Sequence, residues 1–143
     1  MQIIGFNFEK ISAEREIPKE VKDKLEINSN INIKDIIQEK VEIVKDKLPL
    51  KFSFEFLITY NPQVAKILFQ GFAILLFDKE KAKEILKKWK NKKIEDDIRI
   101  PLFNFILTKC NIRALQLEEE LNLPLHIPLP KIQANQNNKS YTG

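Results

Sequence analysis

Residues 50–77 read LKFSFEFLITYNPQVAKILFQGFAILLF. Leu50, Phe52, Phe54, Phe56, Ile58 and Tyr60 all fall at even positions, a period of two that turns one aromatic-rich face of a strand toward a core. Asn61-Pro62-Gln63-Val64 then reads as a tight turn, because proline presets the backbone angle of the first central turn position. A strand over 64–77 returns antiparallel. With Pro62 and Gln63 as the loop, Phe56 opposes Phe69, Ile58 opposes Ile67 and Phe54 opposes Gly71, while Glu55 meets Gln70 and Thr59 meets Lys66 on the other face. Apolar meets apolar and polar meets polar, which favours this register.

The returning strand is greasy on both sides. Its odd-numbered Ala65, Ile67, Phe69, Ala73 and Leu75 serve the core, yet Leu68, Phe72, Ile74 and Leu76 are apolar as well. Each large apolar side chain left in water forgoes roughly 1.5–3 kcal/mol. The second face is therefore expected to be covered by the chain's own helices and C-terminal segment, by another subunit, or by unfolded polypeptide.

Upstream, residues 2–16 alternate with Ile4, Phe6 and Phe8 on one side, and 24–34 alternate with Leu25, Ile27, Ile31 and Ile33 inward. From Asp35 to Lys47 the pattern admits either a strand continued past a bulge or a short helix. Downstream, Asp78 suits a helix N-cap, and Ala82, Ile85, Leu86 and Trp89 recur at helical spacing. A second helix is expected from near Pro101 to about Leu121, since proline is favoured at the first helical position. The prolines of Leu123 to Pro130 exclude a helix and predict an apolar strap laid across the domain. The fold class is α+β: a four-stranded antiparallel sheet, two helices and a proline-rich strap. Residues 1–132 are expected to form one domain, with 133–143 as a flexible tail.

Composition narrows the function. A chain of 143 residues with 43% hydrophobic and 31% charged residues can build a single core without disulfides. The start, Met1-Gln2-Ile3-Ile4-Gly5-Phe6, lacks the features of a secretory signal, and the longest apolar run, Gly71 to Phe77, is far short of the ~18–20 residues that span a bilayer. A cytoplasmic protein without membrane insertion is expected. The single cysteine, Cys110, suits a reducing compartment, and one histidine, His126, beside it makes neither a familiar zinc site nor a nucleophile–base pair. Both read as structural. With glycine only at 5, 71 and 143 no phosphate-cradling loop is available, and Glu118 to Glu120 read as a solvated helix end. No enzyme activity, metal or cofactor is expected.

One charged feature stands apart. Lys79 to Lys93 holds eight lysines and two glutamates, a net of +6 against +4 for the whole chain. Lys79, Lys83, Lys87 and Lys90 would form a basic face for nucleic acid or an acidic partner, and the competing reading is a solvated helix surface.

Three stretches resemble the SecB protein-export chaperone family. Phe8-Glu9-Lys10-Ile11-Ser12-Ala13-Glu14 is similar to its opening strand, Ile100-Pro101-Leu102-Phe103 to the start of its long helix, and Leu123 to Pro130 to its closing run of prolines and aliphatics. The resemblance implies an ATP-independent holding chaperone that binds unfolded or nascent polypeptides along apolar grooves, assembled as a homo-oligomer. Phe72, Ile74, Leu76, Leu125, Ile127 and Leu129 are then the candidate client contacts. This chain is basic, and Leu121-Asn122 stand where the family carries a glycine pair. A specialised chaperone for one partner, such as an antitoxin, is the alternative to export, and a purely structural oligomer subunit is a further one.

Overall fold

A computed structural model describes residues 2–16, 25–40, 46–62 and 64–134. It contains strands β1 (Gln2–Arg15), β2 (Glu26–Gln38), β3 (Lys47–Asn61) and β4 (Ala65–Asp78), followed by helices α1 (Lys79–Trp89) and α2 (Asp96–Glu120). The strands form one antiparallel sheet in the order β1-β4-β3-β2. β3 and β4 pair in the register expected from the turn, with Tyr60 opposite Ala65 and Phe56 opposite Phe69. Val64 N–H donates to Tyr60 O and closes the hairpin.

Period-two alternation decides which face is buried. Leu50, Phe52, Phe54, Phe56, Ile58 and Tyr60 of β3 are at most 1% exposed, and they pack with Ile67, Phe69, Ala73 and Leu75 of β4. Both helices lie over this one face. α1 seats Ala82, Ile85 and Trp89 in the core, and α2 seats Ile98, Leu102, Ile106, Cys110, Ala114 and Leu117. Phe6 of β1 stacks on Phe54 at 5.6 Å and meets Phe105 of α2 edge-on at 5.6 Å, which ties an outer strand to the helix layer.

Two local expectations are corrected and a third, the N-cap at Asp78, holds without its side-chain bond. Ile4 is expected on the same side as Phe6 and Phe8, but a bulge between Ile3 and Gly5 turns it out to 38% exposure, and Ile3 opposes Leu75 instead. Asp78 is the N-cap of α1 but makes no side-chain capping bond; its carboxylate faces Lys47 at 3.8 Å. α2 begins at Asp96 rather than near Pro101, which lies inside the helix. Asp96 and Asp97 supply the negative charge that a first turn favours, and Ile98 and Leu102, one turn apart, bury on the same stripe and draw the helix back. The ambiguous segment after Ile33 is a strand as far as Gln38, with a bulge between Ile33 and Asp35 that brings Ile36 into the core; residues 41–45 lie outside the described residues. The expected tail falls outside them too, from 135 onward.

Gly71 of β4 leaves no room for a side chain between β1 and the core. A Cβ there would lie 2.3 Å from Asn7 O and 3.0 Å from the Phe54 ring. Gly71→Ala must therefore push a backbone strand or a core aromatic aside, and such overpacking costs about 1–3 kcal/mol. A lower urea midpoint with an unchanged slope is the expected outcome.

Candidate functional site

The helix-free face of the sheet carries the even side chains of β4. Leu68, Phe72 and Ile74 are half-buried, held between the rows of β1 and β3 with no helix above them among the described residues. Asn7 and Ser53 flank Phe72, Gly5 and Lys51 flank Ile74, and the Lys51 ammonium lies 4.5 Å from the Phe72 ring centre. Leu57 opposes Leu68. Leu76, also a predicted contact, is only 6% exposed between Pro49 and Gln2 at the end of the strand, so it offers little area to a client.

The other predicted client contacts lie on the helix side. From Leu123 to Pro130 the chain is neither helix nor strand. Leu125 and Leu129 are 37% and 49% exposed, and Ile127 is half-buried. Tyr60 and Phe56, both inward-facing residues of β3, reach Pro124 and His126 of this segment. Phe72 and Ile74 therefore lie across the sheet from Leu125, Ile127 and Leu129, and no single groove of one chain joins the two sets.

What anchors the strap is a buried carboxyl group. Glu118 has a fully buried side chain, correcting the solvated reading of Glu118 to Glu120; Glu119 and Glu120 alone are exposed. Tyr60 Oη lies against Glu118 Oε2 and 2.8 Å from Pro124 O, and burial foremost, then the hydrogen bond and charge of Glu118, raise the tyrosine's pKa. His126 Nδ1 is 2.9 Å from both oxygens of Glu118, and Nε2 is 2.8 Å from Asn111 Oδ1. These carboxylates crowd the negative end of α2. Arg15 at the end of β1 offsets them by donating to the carbonyls of Leu121 and Asn122. Asn122 takes the left-handed conformation at φ 54°, and Leu123 N–H donates to Glu118 O at 2.8 Å, so asparagine does here what glycine commonly does after a helix. Replacing Glu118 by Gln unbalances a closed polar cluster; the expected loss is about 1–3 kcal/mol in urea unfolding, and a double-mutant cycle with His126→Ala should show that the two changes are not additive.

A second concavity opens on the helix side beside β2. This cleft holds about 370 Å³, and Ile31, Ile33, Trp89, Ile94 and Phe103 give it an apolar floor drawn from β2, α1, the connection between the helices, and α2. Trp89 is fixed by its indole N–H, which donates to Asp35 Oδ1 at 3.3 Å. Lys34, Lys92 and Arg99 line the same cleft. No described strand pairs along the outer side of β2, so part of its backbone polar row faces away from the sheet. The sequence reading placed Ile31, Ile33 and Trp89 in the core and did not single out the cleft. Its only local sign is that Phe103 follows the buried Leu102 and so cannot share its stripe.

The basic helix divides by partner. Lys81 and Lys88 turn toward Glu84 and Glu95, and Lys79 is 3.9 Å from Asp46. Lys83, Lys87 and Lys90 are exposed and have no carboxylate partner among the described residues. Cys110 is fully buried in α2, and burial pushes its thiol up to about 12. At pH 8 the folded chain should resist thiol reagents, and labelling should appear with unfolding by urea.

A four-stranded antiparallel sheet followed by two helices on one face defines a SecB-like α+β fold. The solved Mycobacterium tuberculosis SecB-like chaperone Rv1957, in complex with a ChAD peptide from the HigA1 antitoxin Rv1956, is similar in structure, with a TM-score of 0.51 and 16% sequence identity over 94% of this chain and 92% of that one. No protein-family model and no curated protein matches the sequence. Among the described residues, no helix is long and apolar enough to cross a membrane.

Proposed function

We propose that this chain is a holding chaperone or peptide-binding module that captures extended apolar stretches of unfolded or nascent polypeptide without nucleotide, in the cytoplasm. The cleft beside β2 carries the reading. It joins an apolar concavity to an open strand edge, so backbone groups supply sequence-independent affinity while Ile31, Ile33, Ile94 and Phe103 receive alternate side chains. The similar chaperone's peptide comes from an antitoxin, which supports a dedicated partner at least as well as general export clients. Leu125, Ile127 and Leu129 extend the apolar contact along the helix side. The face of Phe72 and Ile74 we assign to self-association, since both stand on the inner strand β4, away from either open edge of the sheet.

The direct assay is aggregation of an unfolded model protein with no nucleotide present. Suppression at near-stoichiometric chain is expected. Phe103→Ala should weaken capture by about 5–30-fold, the equivalent of about 1–2 kcal/mol of lost apolar contact, with an unchanged circular dichroism spectrum. Undiminished aggregation with excess chain would sink the reading. Sedimentation of a Phe72→Ser, Ile74→Ser variant tests the self-association face, and a smaller particle than the parent is the expected result.

A second reading, an RNA or acidic-partner surface, is favoured by the exposed Lys83, Lys87 and Lys90. RNA titration at two salt concentrations decides it, because neutralised phosphates make affinity fall steeply with salt.

A further inference from the structure

The cleft beside β2 is apolar at its floor and cationic at its rim, and its lining contains no carboxylate. Lys34 comes from β2, Lys92 from the turn after α1 and Arg99 from α2, so three separate elements bring positive charge to one opening. Two carboxylates lie beside the cleft and act on its own residues: Asp35 on Trp89 of the floor, and Asp96 on Arg99 of the rim, so the unpaired positive charge among the described residues comes from Lys34 and Lys92. Asp35 Oδ1 accepts from Ile36 N–H and from the Trp89 indole, and Asp96 Oδ1 accepts from Nε and Nη2 of Arg99, leaving Nη1 of that guanidinium free of protein partners among the described residues. Neither Lys34 nor Lys92 has a carboxylate within ion-pair distance among the described residues. The Lys92 ammonium lies 4.5 Å from the centre of the Trp89 ring, where it stands over the apolar floor.

From this arrangement we infer that the cleft selects an extended polypeptide segment in which apolar side chains are interleaved or flanked with Asp or Glu. This rests on the peptide-binding reading above and names its substrate class. An added strand sends alternate side chains to opposite sides, so apolar residues can enter toward Ile33 and Phe103 while carboxylates at the segment's ends meet Lys34, Lys92 and Arg99. An acidic polypeptide fits better than nucleic acid because the adjoining strand edge offers a regular row of backbone N–H and C=O groups that an extended peptide can pair along its length, and because the Trp89 ring is already covered by the Lys92 ammonium. Charge at the rim sets partner choice and association rate more than total affinity, so discrimination between segments of equal apolarity is the quantity to measure.

Three fluorescent peptides with identical apolar positions and flanking Glu, Gln or Lys separate the possibilities by anisotropy titration against the full chain. The Glu peptide is expected to bind about tenfold more tightly than the Lys peptide at low salt, with the ratio shrinking at 0.5 M salt, since exposed pairs each contribute modestly and are screened. Lys34→Glu with Lys92→Glu should abolish or reverse the order, whereas Lys83→Glu with Lys87→Glu, the same charge change on the outer side of α1, should leave it intact. Equal binding of all three peptides overturns the charge selection and leaves peptide binding standing. No binding by any of them removes the cleft as a polypeptide site and both readings fall. A preference that survives Lys34→Glu with Lys92→Glu places the selection elsewhere and overturns the inference. So does an oligomer that dissociates in that variant, which would give the cleft to a second copy, or a uridine oligonucleotide that displaces the peptides and loses affinity with the same substitutions.

Discussion

The pairing of β3 with β4 decides where everything else can go. These are the two central strands, and a slip of one residue between them would carry Phe52, Phe54, Phe56 and Tyr60 out of line with Phe69, Ala73 and Leu75. A short turn at Asn61-Pro62 fixes that register, and the even row of β3 becomes the floor on which both helices rest. The outer strands adjust to it by bulges, two in β1 and one in β2, each restoring apolar residues to the helix side after an irregular step. The one-sided helix layer follows from this, and so does the opposite face, which no described helix covers.

Burial of Glu118 links the helix layer to the C-terminal segment. An isolated carboxyl group in a protein interior is costly unless its oxygens are satisfied, and here a tyrosine from β3, a histidine from the strap and a backbone N–H converge on it. The strap is consequently held by polar contacts at its base while its leucines stay in reach of solvent. Arg15 supplies the positive charge that the last turn of α2 lacks, which makes the end of β1 part of the same arrangement.

Much of this architecture was readable from residue order because alternation and turn chemistry are local. The even row from Leu50 to Tyr60, the hairpin register, the amphipathic α1 and the non-helical strap are properties of neighbouring residues. The bulges were less legible: adjacent isoleucines at 3 and 4 give no sign of which faces inward. Glu118 was misread for a related reason, since three successive glutamates look solvated until Tyr60 and His126 are placed beside one of them. Pro101 marked a plausible helix start, but packing of Ile98 outweighed that preference. The cleft was invisible because Lys34, Trp89, Arg99 and Phe103 meet only after the helices fold over β2. Of the predicted client contacts, Phe72 and Ile74 were correctly read as facing away from the odd-numbered core row, while their separation from the strap depends on both helices choosing the same side.

The two borders of the sheet are not equivalent. β1 is interrupted twice, between Ile3 and Gly5 and again between Phe8 and Lys10, so its outer backbone never keeps even spacing for long. β2 runs without interruption from Glu26 to Ile33. Irregular borders are poor templates, whereas a regular one accepts a visitor. Under the proposed function, a sheet built this way would take on a foreign strand at one margin only, which disfavours the open-ended, margin-to-margin stacking that leads to fibres.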